Sequence, residues 1–300
     1  MEGTDRIVLV DGYAFIYRSF FAIRDLSNAR GEPTNALYGM ARFLHKLEQD
    51  FPHSWGAVVL DKGRPAKRLE LLPGYKSSRP PMPDALRQQL PKIQQWVQAA
   101  GWPVLEQDGH EADDLIAGIA EKHGEYPLYI VSHDKDLAQI VRDDIQLVMP
   151  GKKGSYEVID EHGVQEKFGV PPRAIPDYLA LVGDSVDDIP GIAGIGPKTA
   201  TELLAEFGSV EAIMANTDRI GKEGVREKLQ SAGPALTRNR QVALLDVTLP
   251  EQWQWQGLNS LRRQEPDWET LLDIARDNNF KSLITALHKA KHDAENPTLF

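Results

Sequence analysis

Nine carboxylates fall in short groups along this sequence: Asp11, Asp61, Glu111 with Asp113 and Asp114, Asp134 with Asp136, and Asp184 with Asp187. Asp11, Asp61 and Asp134 each stand at or just beyond the end of a short apolar run, residues 7–10, 57–60 and 128–131, that reads as a buried strand. In an open parallel sheet the carboxyl edge of the strands is where ligands bind. Glu111 and Asp114 are three residues apart and share one face of the helix expected to begin at Glu111. Asp184 and Asp187 fall in a loop at the entrance to the second half of the chain. Carboxylates gathered this closely raise one another's pKa unless cations intervene. Hard oxygen donors without His or Cys suit Mg²⁺ or Mn²⁺. Two such ions about 4 Å apart can activate a water and stabilise the leaving oxygen of an in-line phosphoryl displacement, with no His base required. The eight His residues show no ligand spacing, and there is no Cys. Each acid also has a plainer reading. Asp-Gly after a strand is a turn, and acids in a first helical turn cap it or complement its dipole. Three strand-end acids on one sheet edge exceed what capping predicts.

A basic strip accompanies the acids. Residues 62–95 hold eight bases, Lys62, Arg64, Lys67, Arg68, Lys76, Arg79, Arg87 and Lys92, against Glu70 and Asp84, a net charge of +6 in a chain whose total is −10. The total alone argues against nucleic acid; the distribution argues for it, because Lys and Arg hold phosphates while metal ions screen the acids. Lys76 and Arg79 lie three apart in this strip beside Tyr75, two cations for phosphates next to a ring of the kind that stacks on a base. The plainer reading is a solvated basic loop. Gly191-Ile192-Ala193-Gly194-Ile195-Gly196-Pro197-Lys198-Thr199-Ala200 is the most specific local signal. Its glycines let backbone N–H groups approach a phosphate. Pro197 suits a first helical position, and the helix start favours an anion beside Lys198. Such a hairpin grips duplex backbone without reading sequence; as a purely structural corner it would bind nothing.

The elements that must position these groups alternate. Strands at 7–10, 57–60 and 128–131 are separated by helices at 34–49, around Leu86–Ile93–Val97, from Glu111, and through Leu137, Ile140 and Val141. That alternation predicts an α/β fold, a mostly parallel central sheet flanked by helices. After Pro171-Pro172 helices dominate, at 174–182, 199–207, 210–216 and 271–287. The expected organisation is a metal-binding core over 1–175, a smaller all-helical domain over 176–290 and a flexible tail over 291–300. The start lacks a signal peptide's basic and apolar regions, and no apolar run could span a membrane, so a soluble, cytoplasmic monomer is expected.

Seven ordered motifs carry a resemblance: Leu9-Val10-Asp11-Gly12, Arg30-Gly31-Glu32-Pro33-Thr34, Gly74-Tyr75-Lys76-Ser77-Ser78-Arg79, Glu111-Ala112-Asp113-Asp114, Asp134-Lys135-Asp136-Leu137, Gly183-Asp184-Ser185-Val186-Asp187 and Gly194-Ile195-Gly196-Pro197-Lys198-Thr199-Ala200. With these, nearly the whole chain resembles the 5′→3′ exonuclease domain of bacterial DNA polymerase I, within the wider flap-endonuclease family. The resemblance implies a PIN-like nuclease core with a two-metal site built from all nine acids, holding Mg²⁺, with Mn²⁺ able to substitute. It implies that Arg18, Arg68, Lys76 and Arg79 contact phosphates or stabilise the transition state. It implies a helical arch or clamp at about 62–95, and a helix-three-turn-helix at Gly194, Ile195, Gly196, Lys198 and Thr199 that holds duplex DNA and a K⁺ ion. The implied activity is structure-selective cleavage of DNA with 5′ flaps, nicks or 5′ ends, in primer removal and repair. Two positions depart from the pattern: Asp188 replaces an expected Asn, and His133 an expected small residue.

Two other classes share parts of this evidence. A catalytically silent DNA-structure-binding protein would be free to lose acids, and none is lost. A small-molecule phosphohydrolase would use neither the basic strip nor the glycine hairpin. The ending, Asn296-Pro297-Thr298-Leu299-Phe300, reads more as a natural end than a cut, and its Leu-Phe pair resembles peptides that enter a sliding clamp. The alternative is that Leu299 and Phe300 fold back onto the protein.

Overall fold

The computed structural model describes residues 5–151, 154–253 and 255–296; the docking peptide expected at Leu299 and Phe300 lies outside them. In chain order the first elements are β1 (Ile7–Asp11), α1 (Gly12–Ala22), α2 (Asn35–Asp50), β2 (Trp55–Leu60), α3 (Ala66–Leu71), α4 (Asp84–Arg87), α5 (Leu90–Ala99), β3 (Val104–Glu106) and α6 (Ala112–Glu121). There follow β4 (Leu128–Val131), β5 (Ile145–Pro150), β6 (Tyr156–Ile159), α7 (Glu161–Phe168), α8 (Ile175–Val182), β7 (Gly183–Asp184) and β8 (Ile189–Pro190). The last are α9 (Pro197–Phe207), α10 (Val210–Ala215), α11 (Glu223–Ala243), α12 (Trp268–Asp277) and α13 (Lys281–Glu295). They gather into two compact units, Met1–Leu60 with Pro81–Glu106 and Gln254–Phe300, and Asp61–Pro80 with Gln107–Trp253.

In the first unit β3, β2 and β1 run parallel, with Val58 opposite Val104 and Asp11 opposite Val59. Every residue of β1 is buried, which is what a run of Ile, Val and Leu without alternation demands. Gly12 makes the sharp exit into α1 possible: a Cβ there would lie 2.5 Å from Leu60 Cδ2. Helices α1, α2 and α5 pack in succession, and α12 closes on α5 and α13. In the second unit β4 and β5 are parallel, Leu128 opposite Ile145, and β6 returns antiparallel, Leu147 opposite Ile159. Helices α8 and α11 pack on each other and on the short β7–β8 hairpin, with α9 against α8 and α10 against α9 and α11. The mostly parallel sheet flanked by helices is as expected.

Several local expectations change. The segment after Asp134 is a 3-10 turn, Asp136–Ile140, not an α-helix, and Val141 is already extended. The single helix expected over 271–287 is two, parted where Asn279 takes a left-handed φ of 60° and buried Asn278 bonds Asn28 and the Ile274 carbonyl. Strands β3, β5 and β6 went unseen in the sequence, as did α11, whose internal Pro234 masks a 21-residue helix. Among the described residues no helix is long and apolar enough to cross a membrane.

Candidate metal centre

The second unit assembles most of the acids. After β4 the chain turns on side chains: Asp134 N donates to Ser132 Oγ at 3.0 Å, and Asp136 N donates to Asp134 Oδ1 at 2.9 Å. That pair of turns delivers Asp136 into the interior. The β7–β8 hairpin delivers Asp184 from the end of β7 and Asp187 from its loop, with Val186 N donating to Asp184 Oδ1 at 2.8 Å. One carboxylate oxygen from each of Asp136, Asp184 and Asp187 lies within 4.8 Å of the others, and all three residues are buried. Asp136 Oδ1 is buried with no hydrogen-bond partner. Burial, and then the charges of Asp134, Asp187 and Asp184, hold the Asp136 carboxyl well above the ordinary carboxylate range; burial likewise raises Asp134. A cation removes that penalty. An oxygen-only donor set with one oxygen unsatisfied therefore fits Mg²⁺ or Mn²⁺.

The remaining acids have defined partners. Asp61 is held beside α6 by Lys62, whose N–H donates to the His110 carbonyl at 3.1 Å, and its Oδ1 accepts the Ala112 N–H at 3.0 Å. It thus caps α6, the plainer reading, while standing next to Glu111. Glu111 accepts from Arg68 and Lys76 and lies 3.3 Å from the Tyr75 hydroxyl oxygen. Asp114 has both oxygens occupied: Oδ1 by Arg68 Nη2 at 2.7 Å and Asp246 N at 2.9 Å, Oδ2 by Arg68 Nη1. Asp113 is half-buried in the first turn of α6. In the first unit, Asp11 ends β1 and caps α1, accepting the Ala14 N–H at 3.4 Å, and Arg18 is exposed one turn further along α1.

The basic groups are drawn into this acid set. Arg68, only 7 % exposed, also donates Nε to the Val242 carbonyl at 3.0 Å, so its guanidinium joins α3, α6 and the end of α11 rather than facing solvent. Tyr75 is 5 % exposed; its hydroxyl donates to Asp187 at 2.9 Å and its ring lies 5.0 Å from Lys76 Nζ. Stacking on a base would need that ring uncovered. Lys76 takes a left-handed φ of 52°, fixed by its N–H donating to the Asp187 carbonyl at 3.0 Å. Arg79 pairs with Asp187 at 2.6 Å.

Sequence reasoning passed over Lys135, whose Nζ lies 2.9 Å from Asp184 although it stands between two candidate ligands. Asp188 is explained by its backbone. Its φ is 56°, a conformation that Asn and Asp tolerate best, and its carboxylate accepts the Ser78 N–H at 2.8 Å. At the glycine turn, Gly194 has φ 79° and Gly196 an ordinary extended backbone with nothing within 4 Å of a Cβ. Ile195 is an anchor, 4 % exposed, while Gly196, Pro197 and Lys198 are exposed and Thr199 half-exposed. Lys228 of α11, distant in sequence, places its ammonium against Gly194.

Buried hard-oxygen carboxylates with an unsatisfied oxygen among them, on an α/β scaffold, are a donor set that fits a divalent cation. The chain belongs to the 5′-3′ exonuclease family. Residues 6–169 match the model described as the 5′-3′ exonuclease N-terminal resolvase-like domain, and 170–269 the C-terminal SAM fold. It is 38 % identical to a 5′-3′ exonuclease of Aquifex aeolicus over 98 % of this chain and 99 % of that one. It is also 38 % identical to DNA polymerase I of Pseudomonas aeruginosa over 97 % of this chain, spanning 32 % of that polymerase. It shares its fold, at a TM-score of 0.65 and 22 % identity over 91 % of this chain and 99 % of the other, with a bacteriophage T5 flap endonuclease solved as a pseudo-enzyme-product complex with DNA and metal ions.

Proposed function

We propose that this chain is a structure-selective 5′ nuclease, a 5′→3′ exonuclease and flap endonuclease that hydrolyses phosphodiester bonds of DNA at flaps, nicks and 5′ ends during primer removal and repair. One observation carries the reading: in a member of the 5′-3′ exonuclease family, Asp136, Asp184 and Asp187 converge and leave Asp136 Oδ1 buried without a donor. Asp136, Asp184 and Asp187 would hold Mg²⁺ or Mn²⁺, with Asp61, Glu111, Asp113 and Asp134 of the same unit completing two sites. Asp114, saturated by Arg68, orients Glu111 through that arginine. Bound ions would supply the positive charge that stabilises the attacking and leaving oxygens. Lys76 and Arg79 neutralise phosphate oxygens at the cut, and the exposed Arg18 contacts DNA phosphate. Tyr75 stacks on a terminal base once its hydroxyl leaves Asp187. Gly194, Gly196, Lys198 and Thr199 hold duplex backbone over the Ile195 anchor, and backbone carbonyls, the donor type K⁺ takes, would hold that ion at the same turn.

The test is a 5′-labelled flap, a nicked duplex and p-nitrophenyl phosphate, each in Mg²⁺. The expected result is short 5′-labelled products from flap and nick and none from the small ester. Binding without cleavage would make the chain a silent DNA-structure binder, and hydrolysis of the small ester alone a phosphohydrolase.

A further inference from the structure

Four carboxylates, Glu111, Asp136, Asp184 and Asp187, face four cations of the same unit: Arg68, buried and tied also to Asp114, and the more accessible Lys76, Arg79 and Lys135. Lys76 bonds Glu111 and lies 3.5 Å from Asp187; Arg79 bonds Asp187 at 2.6 Å; Lys135 lies 2.9 Å from Asp184. Only Asp136 among the four keeps a buried oxygen without a donor. Two of these cations, Lys76 and Arg79, are the groups assigned above to the scissile phosphate. They cannot bond Glu111 and Asp187 and hold that phosphate at full strength at once.

We propose that Lys76, Arg79 and Lys135 are exchangeable internal counter-ions: a divalent cation entering at Asp136 displaces them from Glu111, Asp184 and Asp187, and the displaced Lys76 and Arg79 are thereby handed to the DNA phosphate. The inference rests on the reading that this acid group holds divalent ions. The exchange is favourable by elementary electrostatics. A doubly charged ion at about 2.1 Å from a carboxylate oxygen attracts it roughly threefold more strongly than an ammonium at 2.9 Å, by inverse-distance scaling. Lys76 has a route out: its side chain is 17 % exposed on a four-carbon stem. Arg79 has a solvent path already, at 45 % side-chain exposure. Coupling of this kind is reciprocal: a ligand that draws Lys76 onto phosphate must tighten metal binding by the same factor.

The experiment uses the full chain without DNA and two readouts. Calorimetry measures Mn²⁺ binding to the parent and to Lys76→Met, which keeps the stem and deletes the competitor. Amine-reactive labelling with mass spectrometry measures modification of Lys76 with and without Mn²⁺, using Lys167, paired with Glu157 at 3.2 Å, as internal reference. The expected results are a Kd lower by about 5-fold or more in Lys76→Met, and Lys76 labelling in the parent that rises several-fold with Mn²⁺ while Lys167 is unchanged. Mn²⁺ that binds the parent without raising Lys76 labelling overturns the exchange and leaves the metal site standing. No Mn²⁺ binding to either protein overturns both readings.

Discussion

Asp136 carries a cost that the fold alone gives no reason to bear. A buried carboxylate oxygen without a donor, among like charges, destabilises the folded chain by about 1–3 kcal/mol or more. Asp136→Asn should therefore raise the melting temperature in EDTA while lowering flap cleavage by at least about 10²-fold, with flap binding retained. A melting temperature that falls would assign Asp136 a structural role. His53 shows the reverse arrangement, a half-buried group fully satisfied as a neutral ring. Its Nδ1 donates to the Phe51 carbonyl at 2.6 Å and its Nε2 accepts from Arg263 at 2.8 Å. Burial, outweighing the carbonyl bond, pushes the imidazole down to about 4 from an ordinary 6.5. Because the folded value is depressed, the stabilisation is complete above about pH 6.5 and is lost as pH falls towards 4, at most about 3 kcal/mol in all. Melting temperatures from pH 7 to 4.5 should fall more steeply for the parent than for His53→Gln; parallel curves would contradict the assignment.

At the scale of elements, Arg68 fastens α3 to α6 and to the end of α11 through two carboxylates and two carbonyls. Arg68→Ala would leave Glu111 and Asp114 buried without that charge, a loss of about 3–5 kcal/mol, whereas Arg68→Lys should recover part of it. Denaturant unfolding of the two variants measures the difference, and equal stability of Arg68→Ala and parent would refute the tie. The glycine turn separates fold from binding in the same way. Gly194→Val must adopt φ 79° against Lys228 and should unfold the hairpin region; Gly196→Val meets open space and should fold normally while losing affinity for duplex-bearing flaps and not for single strands. Equal loss on both substrates would point to misfolding. These elements also mark what the sequence made legible. Strands β1, β2 and β4 announced themselves because each is an unbroken apolar run closed by Asp or a turn, and the acids followed from their ends. Strand β6 was hidden because only Ile159 of its four residues is buried, and α11 because Pro234 sits inside it. That Arg68, Tyr75 and Lys76 would be spent on the acids was not legible. Spacing identifies a basic strip, while its partners are set by tertiary folding, Asp187 lying over a hundred residues from Tyr75.

For the molecule as a whole, a net charge of −10 opposes a polyanion, and at the point of cleavage this opposition is overcome when the acids are neutralised and the bases released. Divalent cations do both in one step on this account, so metal binding is the condition for DNA cleavage and not an accessory to it. The most direct test is single-turnover cleavage of a 5′-labelled flap by protein stripped with EDTA and then titrated with Mg²⁺. The account predicts no product in excess EDTA and full recovery of cleavage as Mg²⁺ is restored. Full turnover in excess EDTA would contradict it.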